Sequence, residues 1–262
     1  MKKFLIGLIK IVDKINLKIS ELNQDNKCII IIRDDILDSL NTLDSNLNKI
    51  ISDSSVNLDC VGNNQTSMLL EMICHKIKKA NEKFSNLKEK EILYRFFGHD
   101  KDNSVISKII ERGFGRPRDI ILYLKTIINN NKKEKTITFK MVKDAETEYS
   151  SKFWNEIKNE LSFYHSEEYI EEILKLLSSI GKPSFSYNEL ELYFENHREY
   201  YPEISDIRAL VDELYKFGII GNLTAKKNRK KVFFYYRKDG KRYFDIDEDI
   251  LIHNGLRKIF NI

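Results

Sequence analysis

The sequence predicts a mostly α-helical protein with a small α/β part near the N-terminus and a β-hairpin near the C-terminus. Apolar residues recur at helical spacing over 3–22 and along much of the later chain. An isoleucine-rich run at 28–32 is short and β-branched, which is typical of a strand buried on both faces, as in a parallel sheet. Two further β-like runs, 231–237 and 242–246, flank Asp239-Gly240, a dipeptide that favours a tight hairpin turn.

The composition is that of a globular protein in a reducing compartment. Apolar residues make up 42% and charged residues 32% of the 262, and the formal net charge is +4, so nucleic-acid binding would need a local basic cluster. Cys28, Cys60 and Cys74 are widely spaced and form no C-x-x-C pair, so we expect neither a disulfide nor a metal site. No apolar stretch reaches the roughly 20 residues of a membrane helix, so we expect a soluble, cytoplasmic protein without membrane contact.

Charged residues close the isoleucine-rich run. Arg33, Asp34 and Asp35 follow it directly, and ligands of α/β sheets bind beyond the carboxyl ends of the strands. These side chains are therefore candidates for a binding site, and the alternative is an ordinary strand exit with solvated charges. A second, shorter strand is expected at 55–58.

Helices are predicted through the middle of the chain. Their expected bounds are 64–80, 88–97, 103–112, 117–130 and 139–162. Thr138 is expected to cap the last of these helices, and we expect a domain boundary along it or just after it, near 150–165.

A glycine-containing turn precedes the helix that begins at Pro117, a residue that suits the first helical turn. Arg116 and Arg118 lie at this helix start, where the positive end of the helix dipole disfavours cations by roughly 0.3–1 kcal/mol. Their placement favours an incoming anion, and phosphate is the natural candidate. The alternative is that Asp119 offsets the dipole while both arginines point to solvent.

The C-terminal part combines helices with the hairpin. Helices are expected around Ile170–Leu177, over 187–196 with Ser186 as cap, and over 206–216, with a closing helix at 249–260. Three helices followed by a β-hairpin is the winged-helix arrangement, a variant of helix-turn-helix.

The predicted hairpin is strongly basic. Nine basic residues and a single acidic one, Asp239, lie between Lys226 and Arg242. Phosphate neutralisation drives nucleic-acid affinity, so this wing is a candidate contact for double-stranded DNA. The predicted nucleic-acid-binding residues are Lys227, Arg229, Lys230, Lys231, Arg237, Lys241 and Arg242. The alternative is that these side chains are solvated surface lysines and arginines, while the tail contacts protein.

Motifs for phosphate binding and catalysis are missing. No segment matches G-x-x-x-x-G-K-[ST], so no backbone nest with an adjacent lysine is available for a triphosphate. Nucleophile-elbow and zinc-protease spacings are also missing, and we predict no catalytic residue. We therefore do not expect this chain to be an enzyme by itself.

Several short motifs together resemble the C-terminal portion of STAND/AAA+-like P-loop ATPases, a large bacterial group found near mobile elements. The isoleucine run with its Arg-Asp-Asp ending is similar to the sensor strand of that group, and Arg116 to Asp119 resembles the Arg-Pro-Arg-Asp of its helical lid. Asp44, Asn48 and Lys49 match an intervening polar stretch, whereas Leu58-Asp59-Cys60 lacks the tryptophan of the corresponding Leu-x-Trp segment.

This resemblance implies three regions: the rear of a P-loop ATPase core at 1–62, a helical lid at 63–160 and a winged-helix domain at 165–262. The residues it implies for nucleotide sensing are Arg33, Asp34, Arg116 and Arg118. The Walker B acid is missing as well, so ATP and Mg²⁺ are expected only with a complementing P-loop segment. The chain would then be a fragment, a remnant of a split gene, or a protein that docks onto a P-loop ATPase subunit.

Three functions remain open at this point. The first is a nucleotide switch that couples ATP or ADP state to DNA or to a partner. The second is a nucleic-acid-binding module that needs no nucleotide. The third is a protein-interaction module, for example in defence against mobile elements.

Overall fold

The structure, a computed structural model, describes residues 2–22, 24–32, 36–37, 40, 44–56, 65–98, 104–226, 229–237 and 243–262. The chain divides into two compact units, residues 1–59 and 60–262, and each is described by itself.

The described residues are mostly helical, as the sequence predicts, and they contain one small antiparallel sheet of four strands. The helices are α1 (Lys2–Glu21), α2 (Ser45–Ser54), α3 (Gln65–Ala80), α4 (Glu89–Phe97), α5 (Ser104–Ile110), α6 (Pro117–Asn130), α7 (Phe139–Asp144), α8 (Glu146–Leu161), α9 (Glu167–Ile180), α10 (Tyr187–Asn196) and α11 (Ile207–Lys216). The strands are β1 (Ser184–Phe185), β2 (Ile220–Lys226), β3 (Arg229–Phe233) and β4 (Asp249–Ile252). None of the helices in the described residues is long and apolar enough to cross a membrane.

Unit 1–59 is built on α1 and α2. One face of α1 packs into a small apolar cluster with Ile6, Leu40 and Leu47 at its centre. Asp44 caps α2 by accepting from the Asn46 N–H at 3.0 Å, and its carboxylate also pairs with Lys10 at 2.5 Å. The predicted first helix is confirmed.

The predicted buried strand at 28–32 is wrong. The segment lies outside any sheet, and the side chains of Ile29 and Ile31 are 80% and 93% exposed. Its main chain is held instead by Asn16, whose amide accepts from the Cys28 N–H at 2.8 Å and donates to the Cys28 carbonyl at 2.9 Å. A β-branched run becomes a buried strand only where strands pair with it and layers cover it, and neither is present among the described residues of this unit. Residues 55 and 56 of the second predicted strand are not in a strand either, and 57 and 58 lie outside the described residues.

Unit 60–262 has one continuous hydrophobic core that runs from α3 to the C-terminus. Tyr123 of α6 stacks on Tyr149 of α8 at 4.1 Å between ring centroids, and Tyr149 in turn stacks near Phe153 at 5.5 Å. Trp154 meets Phe260 edge-to-face at 5.5 Å, so α8 also packs on the C-terminal segment. The predicted domain boundary near 150–165 therefore falls within a shared core.

The helix predicted at 139–162 is divided in two. Thr138 caps α7, as predicted, by accepting from the Met141 N–H at 3.4 Å. Ala145 then has a ψ of −7°, which ends α7 and redirects the chain into α8. The buried Ala145 carries no sequence signal for this break, because alanine is the best helix former.

The sheet has the strand order β1-β4-β2-β3, with antiparallel neighbours throughout. The closing helix predicted at 249–260 is wrong, because residues 249–252 form β4, in which Ile250 and Ile252 are fully buried, and a short 3-10 turn follows at Asn254–Leu256. Alternate burial is the strand period, and pairing with β1 and β2 overrides the helical spacing.

The strand predicted at 242–246 is also wrong where the structure describes it, at 243–246. The buried side chain of Asn222 accepts from the Asp245 N–H at 3.0 Å and donates to the Asp245 carbonyl at 2.8 Å. These bonds replace a strand ladder at this point. The Asp239-Gly240 turn lies outside the described residues, and the hairpin that the structure shows joins β2 to β3 across 227–228.

Candidate functional site

The site with the densest polar contacts is the turn at residues 112–119, here called the arginine turn, which joins α5 to α6. Gly115 has φ +71°, a conformation that favours glycine. A Cβ on Gly113 would lie 2.7 Å from the Cβ of Asp119, so only a glycine allows this close approach. Pro117 then starts α6 with its fixed φ. The turn thus brings a buried carboxylate next to two arginines.

Asp119 is the centre of the turn. Its residue is 1% exposed, and its Oδ2 accepts from the Phe114 N–H at 2.8 Å and from Arg116 Nε at 3.2 Å. Burial raises the pKa of Asp119, and the charge of Arg116 opposes that rise. Hydrogen-bond donors stabilise a buried carboxylate, and this turn supplies a main-chain donor and a charged one to Oδ2, whereas the buried Oδ1 has no hydrogen-bond partner among the described residues.

Arg116 is held from two sides. Besides Asp119, its Nη1 donates to Glu160 Oε1 of α8 at 3.1 Å. Its guanidinium also lies 4.8 Å from the centre of the Phe114 ring, within the range of a cation–π contact. Burial acts to lower the pKa of Arg116, but the carboxylates of Asp119 and Glu160 outweigh it and leave that pKa above its ordinary value.

Arg118 is placed differently. Its Nη2 lies 2.7 Å from Glu156 Oε2 of α8, and its side chain is 60% exposed. A single exposed ion pair of this kind contributes about 0–1 kcal/mol. Of the two arginines, Arg118 is therefore the one that can exchange its partner at low cost.

The C-terminal segment packs on the back of the arginine turn. The Phe114 ring contacts Phe153, Tyr236 and His253 at centroid distances of 4.7, 5.0 and 5.0 Å. A Cβ on Gly255 would lie 2.1 Å from the carbonyl oxygen of Arg112, so the chain end and the turn meet backbone to backbone. The turn is thus a junction of α5, α6, α8 and the chain end.

His253 is a neutral buried residue of this junction. Its Nδ1 accepts from the Gly255 N–H at 3.1 Å, and its Nε2 lies 3.2 Å from the Tyr236 hydroxyl. Burial, reinforced by the positive charge of Arg237, lowers the pKa of His253 to about 3. The imidazole ring is therefore uncharged at neutral pH, and it connects Gly255 to Tyr236 by hydrogen bonding.

The structure places the two predicted sensing arginines in one turn and pairs each with a carboxylate of α8. The other two predicted sensing residues, Arg33 and Asp34, lie outside the described residues. The expectation that they share a cleft with the arginine turn stays a prediction.

Among the predicted nucleic-acid-binding residues, Lys227, Lys241 and Arg242 lie outside the described residues, while Arg229 and Lys230 open β3. Lys231 is exposed, with its Nζ 4.4 Å from the centre of the Phe233 ring.

Arg237 stacks on aromatic residues of its own segment. Its guanidinium lies 5.1 Å from the centre of the Phe234 ring and 5.8 Å from that of Tyr236. It is half-buried, so part of its side chain stabilises the fold and is not available to a ligand.

Sequence reasoning missed Glu156, Glu160 and His253. The two glutamates lie four residues apart and so share one face of α8. This spacing would have predicted partners for the arginines of α6 if α6 had been known to pack against α8. His253 offered no signal, because its burial depends on contacts across more than 100 residues. No group of His, Cys, Asp and Glu among the described residues is arranged to hold a metal ion.

The arginine turn lies within a segment that is similar to a known protein family. Residues 67–158 match the model of the FunZ-associated C-terminal helical domain. The match spans a little over a third of the chain, from α3 through most of α8, and it ends two residues before Glu160. Comparisons with curated proteins and with solved structures gave no match.

Proposed function

We propose that this chain is a protein-interaction module that works with a FunZ protein and performs no nucleotide chemistry of its own. The match of residues 67–158 to a FunZ-associated domain supports a partner of that kind. The missing phosphate-binding loop supports the second half of the proposal, because no segment of the sequence matches the G-x-x-x-x-G-K-[ST] motif whose backbone would hold a triphosphate.

The observation that carries the proposal is the pairing of Arg116. A residue that senses a γ-phosphate needs a guanidinium that can turn toward the anion. Arg116 is instead half-buried and held by Asp119 and Glu160, and turning away would leave the buried Asp119 carboxylate without its charged donor, at a cost of about 1–3 kcal/mol. The arginine turn therefore acts as a brace that gives the helices one fixed arrangement.

A fixed arrangement suits a docking module, because a rigid surface loses little conformational entropy when it binds. The brace joins α6 and α8 through Glu160, and it joins both to the chain end through Phe114 and Gly255. We infer that the surface presented to a partner is set by these contacts.

The test is co-expression of the full chain with a FunZ protein, followed by affinity purification and titration without nucleotide, with ADP, and with a non-hydrolysable ATP analogue. A complex with the same Kd in all three conditions is expected. No complex would contradict the interaction function. A Kd that differs tenfold or more between ADP and the ATP analogue would contradict the nucleotide-independent part.

A second candidate function is nucleotide-state sensing by Arg118 beside a complementing P-loop segment that binds ATP and Mg²⁺. The exposure of Arg118 at the first turn of α6 favours it, because this guanidinium can leave Glu156 for a phosphate. Arg118→Ala would then weaken binding of the ATP analogue to the complex. Arg198→Ala is the matched control, since Arg198 is similarly exposed and also pairs with a carboxylate, Glu195.

We further infer that the tail is a winged-helix variant. Its element order, α9-β1-α10-α11-β2-β3-β4, with β4 between β1 and β2, supports this. The surface of α11 does not favour a major-groove reader, because Arg208 pairs with Asp212, and Glu213 bonds to His165 and Tyr169. Protein contact is therefore the function that this tail supports best.

DNA contact by the wing remains an alternative, supported by the exposed Lys231 and the basic sequence around it. Its test is the salt dependence of binding to a short duplex. Lys231→Ala should reduce the slope of log K against log salt by about 1 if Lys231 contacts a phosphate. An unchanged slope would remove Lys231 from the interface.

A further inference from the structure

Helix α1 has a second apolar face that no described residue of unit 1–59 covers. Its inner face packs around Ile6 and Leu47 in the core of unit 1–59. The outer face carries Phe4, Leu8, Ile11, Ile15 and Leu22, which are 72%, 37%, 56%, 42% and 62% exposed. Large exposed apolar stripes on a folded helix indicate a contact surface.

The spacing of the outer residues is that of a helix–helix seam. They follow one another at intervals of four, three, four and seven residues, which is the a/d pattern of successive heptads. At about 100° per residue they fall within an arc of roughly 60°, so they form a single line along α1. Leu17 is also exposed but lies on a different side of the helix, so it is not part of this seam.

One edge of the seam is basic. Lys3 and Lys14 lie along it, Lys18 fills the seam position between Ile15 and Leu22 on the same side, and all three are exposed, with Glu21 as the carboxylate of this edge. The opposite edge carries the half-buried apolar residues Val12 and Ile19. A partner helix would therefore meet apolar side chains in the middle and positive charge on one side.

This charge pattern disfavours a second copy of the chain as the partner. A parallel pair of α1 helices would bring Lys18 against Lys18 of the other copy within the seam. An antiparallel pair with the seam residues in register would bring Lys14 against Lys14 of the other copy, because the two-fold axis then passes next to it. Like charges in such positions are destabilising, whereas e and g charges of opposite sign select a partner.

We propose that the outer face of α1 docks an amphipathic helix of a partner protein, one with apolar a and d residues and an acidic edge that faces Lys3, Lys14 and Lys18. The identity of the partner as a FunZ protein rests on the proposed interaction function. The location of the binding surface on α1 does not rest on it. It commits to a helix over a lipid surface because the apolar arc is narrow and the back of α1 is packed against protein, whereas interfacial helices have a polar back.

The experiment uses the full chain and two synthetic probes. Both are helical peptides of three heptads with leucine and isoleucine at a and d, and they differ in having glutamate or lysine at the edge positions. Fluorescence anisotropy at low ionic strength should show at least tenfold tighter binding of the glutamate peptide, with the preference shrinking as salt rises. Equal binding of the two peptides, or none, would overturn the proposal.

Substitutions on α1 test whether its outer face is the surface that binds the glutamate peptide. Ile11→Ser and Ile15→Ser should each weaken binding of the glutamate peptide at least tenfold while leaving the far-ultraviolet circular dichroism unchanged, because both side chains are exposed. Leu17→Ser is the matched control and should bind like the wild type. Lys14→Glu combined with Lys18→Glu should reverse the preference toward the lysine peptide.

The same experiment also tests two other ligands of the outer face of α1, a second copy of the chain and a lipid surface. Concentration-dependent dimerisation that Ile11→Ser abolishes would overturn the proposal in favour of a second copy. Binding to phosphatidylglycerol vesicles that Ile11→Ser abolishes, with no binding of either peptide, would overturn it in favour of a lipid surface.

The proposal can fail separately from the proposed function. If a FunZ protein and the glutamate peptide both bind Ile11→Ser and Ile15→Ser as tightly as the wild type, the seam is overturned and the interaction function stands. If the peptides behave as expected but no FunZ protein binds, the seam stands and the partner's identity is wrong.

Discussion

The arginine turn and the outer face of α1 differ in whether their side chains have partners within their own unit. In the arginine turn, buried charges meet opposite charges within the same unit, as Arg116 does with Asp119 and Glu160. On α1, apolar side chains such as Phe4 and Ile11 are left in solvent. Charges paired within one unit indicate a structural role, and uncovered apolar groups indicate a surface for another molecule.

Among the substitutions that test this difference, Asp119→Ala is expected to have the largest effect on the free energy of unfolding. The substitution leaves the half-buried Arg116 with one partner fewer and the Phe114 N–H without its acceptor, so we expect a loss of about 2–4 kcal/mol in the free energy of unfolding. Urea denaturation followed by the fluorescence of Trp154, the single tryptophan, measures it. Asp119→Asn keeps an acceptor and should lose less. A loss below about 1 kcal/mol for Asp119→Ala would mean that the turn is not a brace.

Two glycines give the next contrast. A Cβ on Gly255 would overlap the Arg112 carbonyl, so Gly255→Ala should cost about 3 kcal/mol, whereas a Cβ on Gly7 of α1 meets nothing within 4 Å. Gly7→Ala should instead stabilise α1 by about 0.5–1 kcal/mol, because alanine is the better helix former. Thermal denaturation of both variants tests the pair. Equal effects would show that the two regions are equally tightly packed.

A pH titration of the free energy of unfolding tests the buried packing behind the arginine turn, where His253 contacts Phe114. The folded pKa of His253, about 3, lies below its unfolded value of about 6.5, so the unfolded chain binds the extra proton between these pH values. Stability is therefore full above pH 6.5 and falls as the pH drops toward 3, by about 2 kcal/mol at pH 5. His253→Gln should remove most of that slope. A slope that persists in the variant would assign it to other groups.

The smallest effect is expected from Arg118→Ala. Its single ion pair with Glu156 is exposed, so the free energy of unfolding should change by less than about 0.5 kcal/mol. Urea denaturation provides the measurement, with Arg116→Ala as the contrasting variant, which should lose several times more. A similar loss in both would mean that Arg118 also belongs to the brace.

Much of the helical framework was predictable from local signals. Capping by Ser186 and the spacing of apolar residues in α1, α6 and α10 predict elements that the structure contains at nearly the same bounds, and capping by Thr138 predicts the start of α7 but not its end. These signals work because caps and amphipathic faces are encoded within a few residues of the element.

The strands were less predictable. The isoleucine run at 28–32 has the composition of a buried strand and yet pairs with no strand, whereas Ile250 and Ile252 form a buried strand within an expected helix. Strand formation depends on which segment lies alongside, and that partner can be far away in the sequence.

The candidate site shows the same division. The sequence by itself determined the glycine-containing turn, the start of α6 at Pro117 and the presence of two arginines beside Asp119, because these features are local. Only the tertiary structure decided that Glu156 and Glu160 of α8 would receive those arginines, and that Phe114 would contact His253. Charges choose their partners by distance in space, so a residue 40 positions away can decide whether an arginine is a free sensor or part of a brace.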